Sequence, residues 1–224
     1  MGTQKVKGSV LKSRLAFVER QFGPEGLDRV MENLDPEDQK ALQALIPVAW
    51  LDFEIGSRLD DAIVKVLGGG CPEVFERLGA PSADANLTTV HPALIAPGDP
   101  QGLLAKAPQI YRMYYQKGRR EYEPSGEWEG VLTTYGAETF SKADCLTVIG
   151  WYKRALELCG AKNPHVVEDS CRARNDEVCR YRVSWEWRSR LRVSGLPGNS
   201  LLGIQCRGVT HDRSNGKETC LPGR

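Results

Sequence analysis

A segment near the end of the chain alternates strictly between apolar and polar residues. One face carries Cys179, Tyr181, Val183, Trp185 and Trp187, and the other carries Arg180, Arg182, Ser184, Glu186 and Arg188. Successive side chains of a β-strand point to opposite faces. The segment therefore predicts a strand with one face in the core and the other toward solvent or an interface.

The first half of the chain has the apolar periodicity of helices. Gly23-Pro24 is expected to stop the first helix, and Asp35-Pro36 is expected to start the next with a capping side chain and a proline in the first turn. Pro108 marks a kink or a start in the last of them. The helices are predicted over 10–22, from 36 onward, over 50–67, 72–78 and 103–116, with a loop over 79–101.

The second half has the signals of two hairpins and a helix between them. Pro-Ser-Gly separates the strands 119–123 and 127–135, a helix runs over 142–159 to Gly160, and 166–170 pairs with 178–187. The predicted fold class is α+β, with N-terminal helices packed on a C-terminal antiparallel sheet built from the two hairpins and the helix between them. We expect one domain over 1–192, helical over about 5–117 and hairpin-rich over 118–192, and a flexible tail over 193–224.

Composition excludes several classes of partner. The chain has 30 Lys and Arg against 29 Asp and Glu, a formal net charge of +1, so nothing in it predicts nucleic-acid binding. It contains no apolar run of the roughly 20 residues that a membrane span requires. With no secretion signal at the N-terminus, a cytoplasmic location is predicted.

Four potential metal ligands are spaced around the second predicted hairpin. Cys171 and Cys179 flank a turn that contains Asn175, Glu168 lies on the incoming strand, and Cys145 lies in the first turn of the preceding helix. Three thiolates and one carboxylate would make a closed tetrahedral zinc site. By spacing alone, buried cysteines that only pack in the core are the favoured interpretation.

The segment 145–187 resembles the 4-vinyl-reductase domain found in the aromatic-sensing part of bacterial phenol-responsive activators. That domain binds zinc through a Cys followed by Glu-x2-Cys-x7-Cys, which Cys145, Glu168, Cys171 and Cys179 match in register. The resemblance implies a structural zinc ion. It gives no role to Cys71, Cys159, Cys206 and Cys220.

A second resemblance concerns the layout of the whole chain. Residues 5–34 resemble the start of the related haem–nitric-oxide-binding domain. The arrangement over about 5–190 is similar to a myxobacterial paralogous family of unknown activity and to trafficking-complex subunits.

Two functions from different classes are compatible with these resemblances. The first is a non-enzymatic ligand-sensing or regulatory module, with a small apolar or aromatic ligand in a pocket drawn from Tyr111, Tyr114, Tyr115, Trp128, Tyr135 and Trp151. The second is a scaffold that binds a protein partner or a second copy through the exposed stripe of Arg180, Arg182, Arg188, Arg190 and Arg192. Aromatic residues at regular spacing are also ordinary core residues, and a charged strand face is also ordinary surface.

Haem and catalysis are not expected from the sequence. The candidate axial ligands are His91, His165 and His211, and the Tyr-x-Ser-x-Arg signature that holds haem propionates in the gas-sensing relatives is absent. The sequence contains no phosphate loop, nucleophile elbow or His-Glu-x-x-His motif, so an enzyme is not predicted.

Overall fold

The α+β fold predicted from the sequence is confirmed in a computed structural model of the protein, which describes residues 4–187. Among these residues, the helices are α1 (Gly8–Glu32), α2 (Pro36–Gln43), α3 (Phe53–Val66), α4 (Val74–Ala85), α5 (Pro100–Ala105), α6 (Ala107–Tyr114) and α7 (Lys142–Leu158). The strands are β1 (Lys5–Lys7), β2 (Trp50–Asp52), β3 (Arg119–Gly126), β4 (Glu129–Tyr135), β5 (Lys162–Ser170) and β6 (Cys179–Glu186).

The main sheet has four antiparallel strands in the order β3-β4-β6-β5. Two hairpins therefore lie side by side, and α7 connects them. The alternation in β6 agrees with the prediction, because Cys179, Tyr181, Val183 and Trp185 are buried while Arg180 and Arg182 are exposed. A second sheet, which the sequence analysis missed, pairs β1 with β2.

Helix α7 is the centre of the core and packs closely on α4. Gly79 of α4 and Gly150 of α7 lie at the contact, where an added Cβ at Gly150 would collide with the carbonyl oxygen of Glu76. The absence of side chains at these two positions lets the helix backbones approach. α7 ends at Leu158, and Gly160 follows with a positive φ of 94°, as predicted from its C-cap position.

Several boundaries differ from the predictions, each for a local reason. The range given for α1 joins two helical stretches, which Gly23 separates at φ 70° as predicted, and the second stretch begins directly after it. Residues 50–52 form β2 instead of the first turn of a helix, because they pair with β1. The region 79–101 is not a single loop, since α4 continues to Ala85 through Pro81 and a π-turn follows over Asn86–Val90.

Two smaller predictions about turns and caps are also corrected. The first hairpin turns at residues 127–128, because Pro124 and Gly126 still pair with β4. Asp35 precedes α2, but its side chain makes no capping hydrogen bond. Pro108 is the second residue of α6, in its first turn. The segment 188–192 and the proposed tail over 193–224 lie outside the described residues. In the described part, no helix combines the length and apolar character that crossing a membrane requires.

Gly150→Ala tests the close contact between α4 and α7. We expect it to lower the free energy of unfolding by about 1–3 kcal/mol, because the added methyl group must push the helices apart. Urea unfolding would measure this, with Glu157→Ala on an exposed turn of the same helix as the control. A Gly150→Ala protein as stable as this control would contradict the packing.

Candidate metal centre and ligand cavity

The turn between β5 and β6 brings two cysteines together. Asn175 adopts the left-handed conformation at φ 67°, which asparagine tolerates better than most residues. Asp176 stabilises the turn, since its carboxylate accepts a hydrogen bond of 2.6 Å from the backbone N–H of Cys171. Cys171 and Cys179 therefore face the same space.

Cys145 reaches this space from the first turn of α7. Ser141 caps the helix by accepting a hydrogen bond of 3.0 Å from the N–H of Asp144, which fixes where α7 begins. The Sγ atom of Cys145 lies 3.5 Å from that of Cys171 and 3.9 Å from that of Cys179. Tetrahedral zinc–thiolate bonds of about 2.3 Å place sulfurs about 3.8 Å apart, so these separations suit one shared ion.

Glu168 completes the group as an oxygen donor. Four residues each offer one ligand atom, and these four atoms all lie within 4.8 Å of one another: Cys145, Glu168, Cys171 and Cys179. The Oε2 atom of Glu168 accepts a hydrogen bond of 2.9 Å from Arg174, while its Oε1 atom is buried without a hydrogen-bond partner in the described chain. A metal ion would satisfy that oxygen.

The electrostatics of the cluster favour a cation. Hydrogen bonding to Cys171 raises the pKa of Cys145, whereas the contact with Cys145 lowers the pKa of Cys179 to about 7. Three adjacent thiols oppose each other's ionisation unless a positive charge compensates. The backbone N–H of Arg172 already points at the Sγ of Cys179, at 3.4 Å.

A cavity of about 70 Å³ lies between the helices and the sheet. Its walls come from α1, α4, α6, α7 and β3. Three side-chain polar atoms at this cavity are buried without a hydrogen-bond partner among residues 4–187: Nη1 of Arg14 and the hydroxyls of Tyr114 and Tyr152. Burial raises the pKa of Tyr114 to about 12, so the hydroxyl is a donor at neutral pH. The cavity therefore offers hydrogen bonds to an occupant.

A buried ionic network holds one wall of the cavity. Arg14 of α1 donates to Asp60 of α3, with Nη2 at 3.1 Å, and to Asp144 of α7 at 3.3 Å. Tyr115 donates to the same Asp144 at 2.8 Å. Burial opposes the charge of Arg14, but the two carboxylates outweigh it and raise its pKa. Burial also raises the pKa of Asp60 to about 6, against the influence of Arg14.

Four of the six proposed pocket residues line this cavity, namely Tyr111, Tyr114, Tyr115 and Trp151. Trp128 does not, because it lies in the hairpin turn with 40% of its surface exposed. Tyr135 does not either. It lies on the face of β4 opposite to Thr134, and its ring stacks on Arg119 with 4.6 Å between the guanidinium carbon and the ring centre.

The other predicted residues lie away from the cavity. His91 follows the π-turn, half-buried, and His165 is exposed on β5. Cys159 is buried at the end of α7, outside the cysteine cluster. Arg182 is exposed and pairs with Asp169 at 2.7 Å. Arg188, Arg190, Arg192, His211, Cys206 and Cys220 lie outside the described residues.

The sequence analysis missed the charged residues around the cavity. Arg14 and Asp60 fall within the buried stripes of their helices, beside Leu11 and Val18 in α1 and Leu59 in α3. The sequence could have indicated this ion pair, because each of the two helices carries a charged residue in its apolar stripe and the two charges have opposite signs. Arg119 and Arg120 begin β3, and Arg120 is the buried one of the two. The sequence indicated its burial less clearly, because most residues of this strand are polar.

Comparison with known proteins identifies the fold. No family model matches the sequence, and no curated protein matches it. Solved structures do match. The Fe(II) unliganded H-NOX protein from K. algicida has a TM-score of 0.64 at 11% identity, covering 83% of this chain and 100% of its own. An H-NOX protein from S. oneidensis in the Fe(II)NO state has 0.62 at 13% identity, covering 80% and 99%.

The chain has the H-NOX fold. A further structure, from work on heme distortion in the H-NOX family, has a TM-score of 0.60 at 14% identity over 86% of this chain and all of its own. The layout predicted from the start of the chain is thus supported at the level of the fold. The resemblance to 4-vinyl-reductase domains and to the myxobacterial family stays a prediction.

The expectation that haem is not a cofactor is wrong. It rested on the few histidines and the missing propionate signature, but the structures that share this fold are H-NOX proteins described in Fe(II), Fe(II)NO and heme-distorted forms. The cavity lining does hold side chains of the kinds that haem contacts. Tyrosine oxygens can ligate haem iron, and Arg14 and Arg120 are cations suited to propionates.

Asp60→Asn tests the ionic network behind the cavity. We expect a loss of about 3–5 kcal/mol in the free energy of unfolding, because Arg14 stays buried with its main carboxylate neutralised. The double variant Arg14→Met/Asp60→Asn should lose much less than the sum of the losses in Arg14→Met and Asp60→Asn, since it removes both charges. Urea unfolding of all four proteins measures the coupling, and strictly additive losses would contradict it.

Proposed function

We propose that this chain is a non-enzymatic ligand-sensing signalling module with a structural zinc site. The ligand enters the cavity between α1, α6, α7 and the sheet, while zinc bound by Cys145, Glu168, Cys171 and Cys179 holds α7 to the second hairpin. The H-NOX fold supports the sensing class. The unpaired donors of Arg14 and Tyr114 in the cavity are the observation that carries the proposal.

Those donors argue for an occupant that carries hydrogen-bond acceptors. Buried polar groups in folded proteins are almost always hydrogen-bonded, so a guanidinium N–H and a phenol O–H left open beside the same cavity call for a partner. The charge of Arg14 is already balanced by Asp60 and Asp144. The cavity therefore suits a ligand with an apolar or aromatic body, for the tyrosine rings, and a polar group for the open donors.

The size of the cavity suggests how binding could become a signal. A space of about 70 Å³ holds only a few heavy atoms, so a larger ligand must move the walls apart. A ligand that binds the opened form better shifts the population toward it. Cys145 would fix the first turn of α7 through the metal ion, and Arg14 ties α1 to the same turn through Asp144, so we infer that the movement falls on α6.

Haem is the first ligand to test, because the fold neighbours are H-NOX proteins. When bound, haem would supply an iron centre for small gaseous ligands. On this chain Tyr114, whose hydroxyl is open, would provide an oxygen ligand, and Arg14 and Arg120 would hold the propionates. A compact aromatic ligand bound by the same donors is the alternative within the same proposal.

The proposed output is association with a second copy or a protein partner in the cytoplasm. Arg180 and Arg182 lie exposed on the outer face of β6 and form a proposed contact surface for an acidic partner. The pairing of Arg182 with Asp169 is exposed, so it would oppose such a contact only weakly. The proposal extends this surface to Arg188, which is beyond the described residues.

Zinc content is the direct test of the metal site. Purified protein should contain about one zinc per chain, and Cys171→Ser should lose the ion together with thermal stability, because a structural ion contributes directly to folding. Elemental analysis and thermal unfolding measure both. The matched control is Cys159→Ser, which removes a buried thiol of the same chain outside the cluster and should keep the zinc. Stable, zinc-free wild-type protein would contradict the site.

Ligand binding is tested by titration with hemin and with a panel of small phenols and aromatic carbonyl compounds, followed by absorbance and thermal shift. We expect at least one of these probes to stabilise the protein. Tyr114→Phe should weaken that binding about tenfold, because it removes one open donor. Tyr135→Phe, whose ring lies outside the cavity, is the control. A panel that leaves the melting temperature unchanged throughout would contradict ligand sensing.

A further inference from the structure

Arg120 is a buried cation without a carboxylate partner. Its side chain lies on the inner face of β3 with 6% of the residue exposed. Its Nε donates to the hydroxyl of Thr134 at 2.9 Å, and its guanidinium lies against the rings of Tyr111, Tyr152 and Tyr181, at 5.2, 5.7 and 5.8 Å. No carboxylate of residues 4–187 lies within 4.0 Å of it. Burying an unpaired guanidinium is costly, so a nearby anion should compensate it.

The sheet register shows where that anion is. Arg120 lies opposite Thr134 on β4, and Thr134 lies opposite Cys179 on β6, so the three form one row across the inner face. Adjacent strands are about 4.8 Å apart, which puts the backbones of Arg120 and Cys179 about 10 Å apart. The long arginine side chain and the ring of Tyr181 span much of that distance.

The charges of the other groups single out the cysteine cluster. Asp144 borders the same cavity, but Arg14 and Tyr115 already bond to it. A centre of three thiolates, one carboxylate and a divalent ion carries two negative charges. Arg174 contacts Glu168 and offsets one of them. Arg172 is half-buried beside the cluster with its guanidinium against the ring of Phe140, at 4.9 Å, whereas Arg120 is the buried cation that shares a row of the sheet with Cys179.

We propose that Arg120 is the buried counter-charge of the metal-loaded Cys3Glu centre and connects that centre to the ligand cavity. The inference rests on the metal site proposed above. Arg120 positions and stabilises the ion through the field across one row of the sheet, without touching it. The guanidinium of Arg120 also lies in the wall of the ligand cavity. Binding of the metal ion therefore also fixes one side chain of the ligand site.

Arg120→Met tests this role with zinc as the probe. Zinc affinity is measured by competition with a chromophoric chelator, and stability is measured by urea unfolding of the metal-free and zinc-loaded proteins. We expect zinc to bind about 10–100-fold more weakly, the usual effect of losing a group that supports metal ligands. The metal-free variant should unfold at the same urea concentration as metal-free wild type or a higher one, because an unpaired buried charge is gone.

Arg119→Met is the matched control, since Arg119 is the neighbouring residue on the exposed face of the same strand. It should change neither zinc affinity nor metal-free stability. Arg120→Lys keeps the charge and should recover part of the zinc affinity. It also keeps the test possible if Arg120→Met does not fold.

Three outcomes separate the possibilities. Unchanged zinc affinity in Arg120→Met overturns the role of Arg120 while leaving the metal site intact. An equal loss of stability with and without zinc overturns it too, because that is the effect of a residue that only packs. Wild-type protein that binds no zinc overturns the metal site itself and this inference with it.

Discussion

Arg14 lies on the buried face of α1, and its guanidinium reaches carboxylates on two other helices, Asp60 on α3 and Asp144 on α7. A charge at this depth is tolerated because both carboxylates compensate it. The same contacts fix the relative positions of the three helices. The cavity lies beside Arg14, whose guanidinium uses some of its donors for the helices and leaves Nη1 open.

The first turn of α7 joins the two polar centres of the molecule. Asp144 belongs to the ionic network with Arg14, and the next residue, Cys145, belongs to the cysteine cluster. Ser141 caps the helix just before them and so sets the direction of both side chains. A change at either centre is therefore felt at the start of α7, which the contact between Gly79 and Gly150 keeps close to α4.

Local signals predicted the parts of the fold that depend on neighbours in the sequence. The alternation in β6, the glycine after α7 and the turn at Asn175 each follow from a preference of a few adjacent residues. The break at Gly23 was predicted from Gly-Pro, although the sequence did not show that a second helical stretch follows it directly. The strand Trp50–Asp52 was missed because its partner, Lys5–Lys7, is distant in the chain.

The sequence by itself determined the candidate metal ligands, because the spacing of Glu168, Cys171 and Cys179 is set within one hairpin and Cys145 by the helix that precedes it. It could not determine the ligand cavity. That space is bounded by α1, α4, α6, α7 and β3, and which side chains face it depends on how these elements pack. Only the tertiary structure decided that Arg14, Tyr114 and Arg120 border one cavity, because burial and open hydrogen-bond donors arise when distant segments exclude water from the same place.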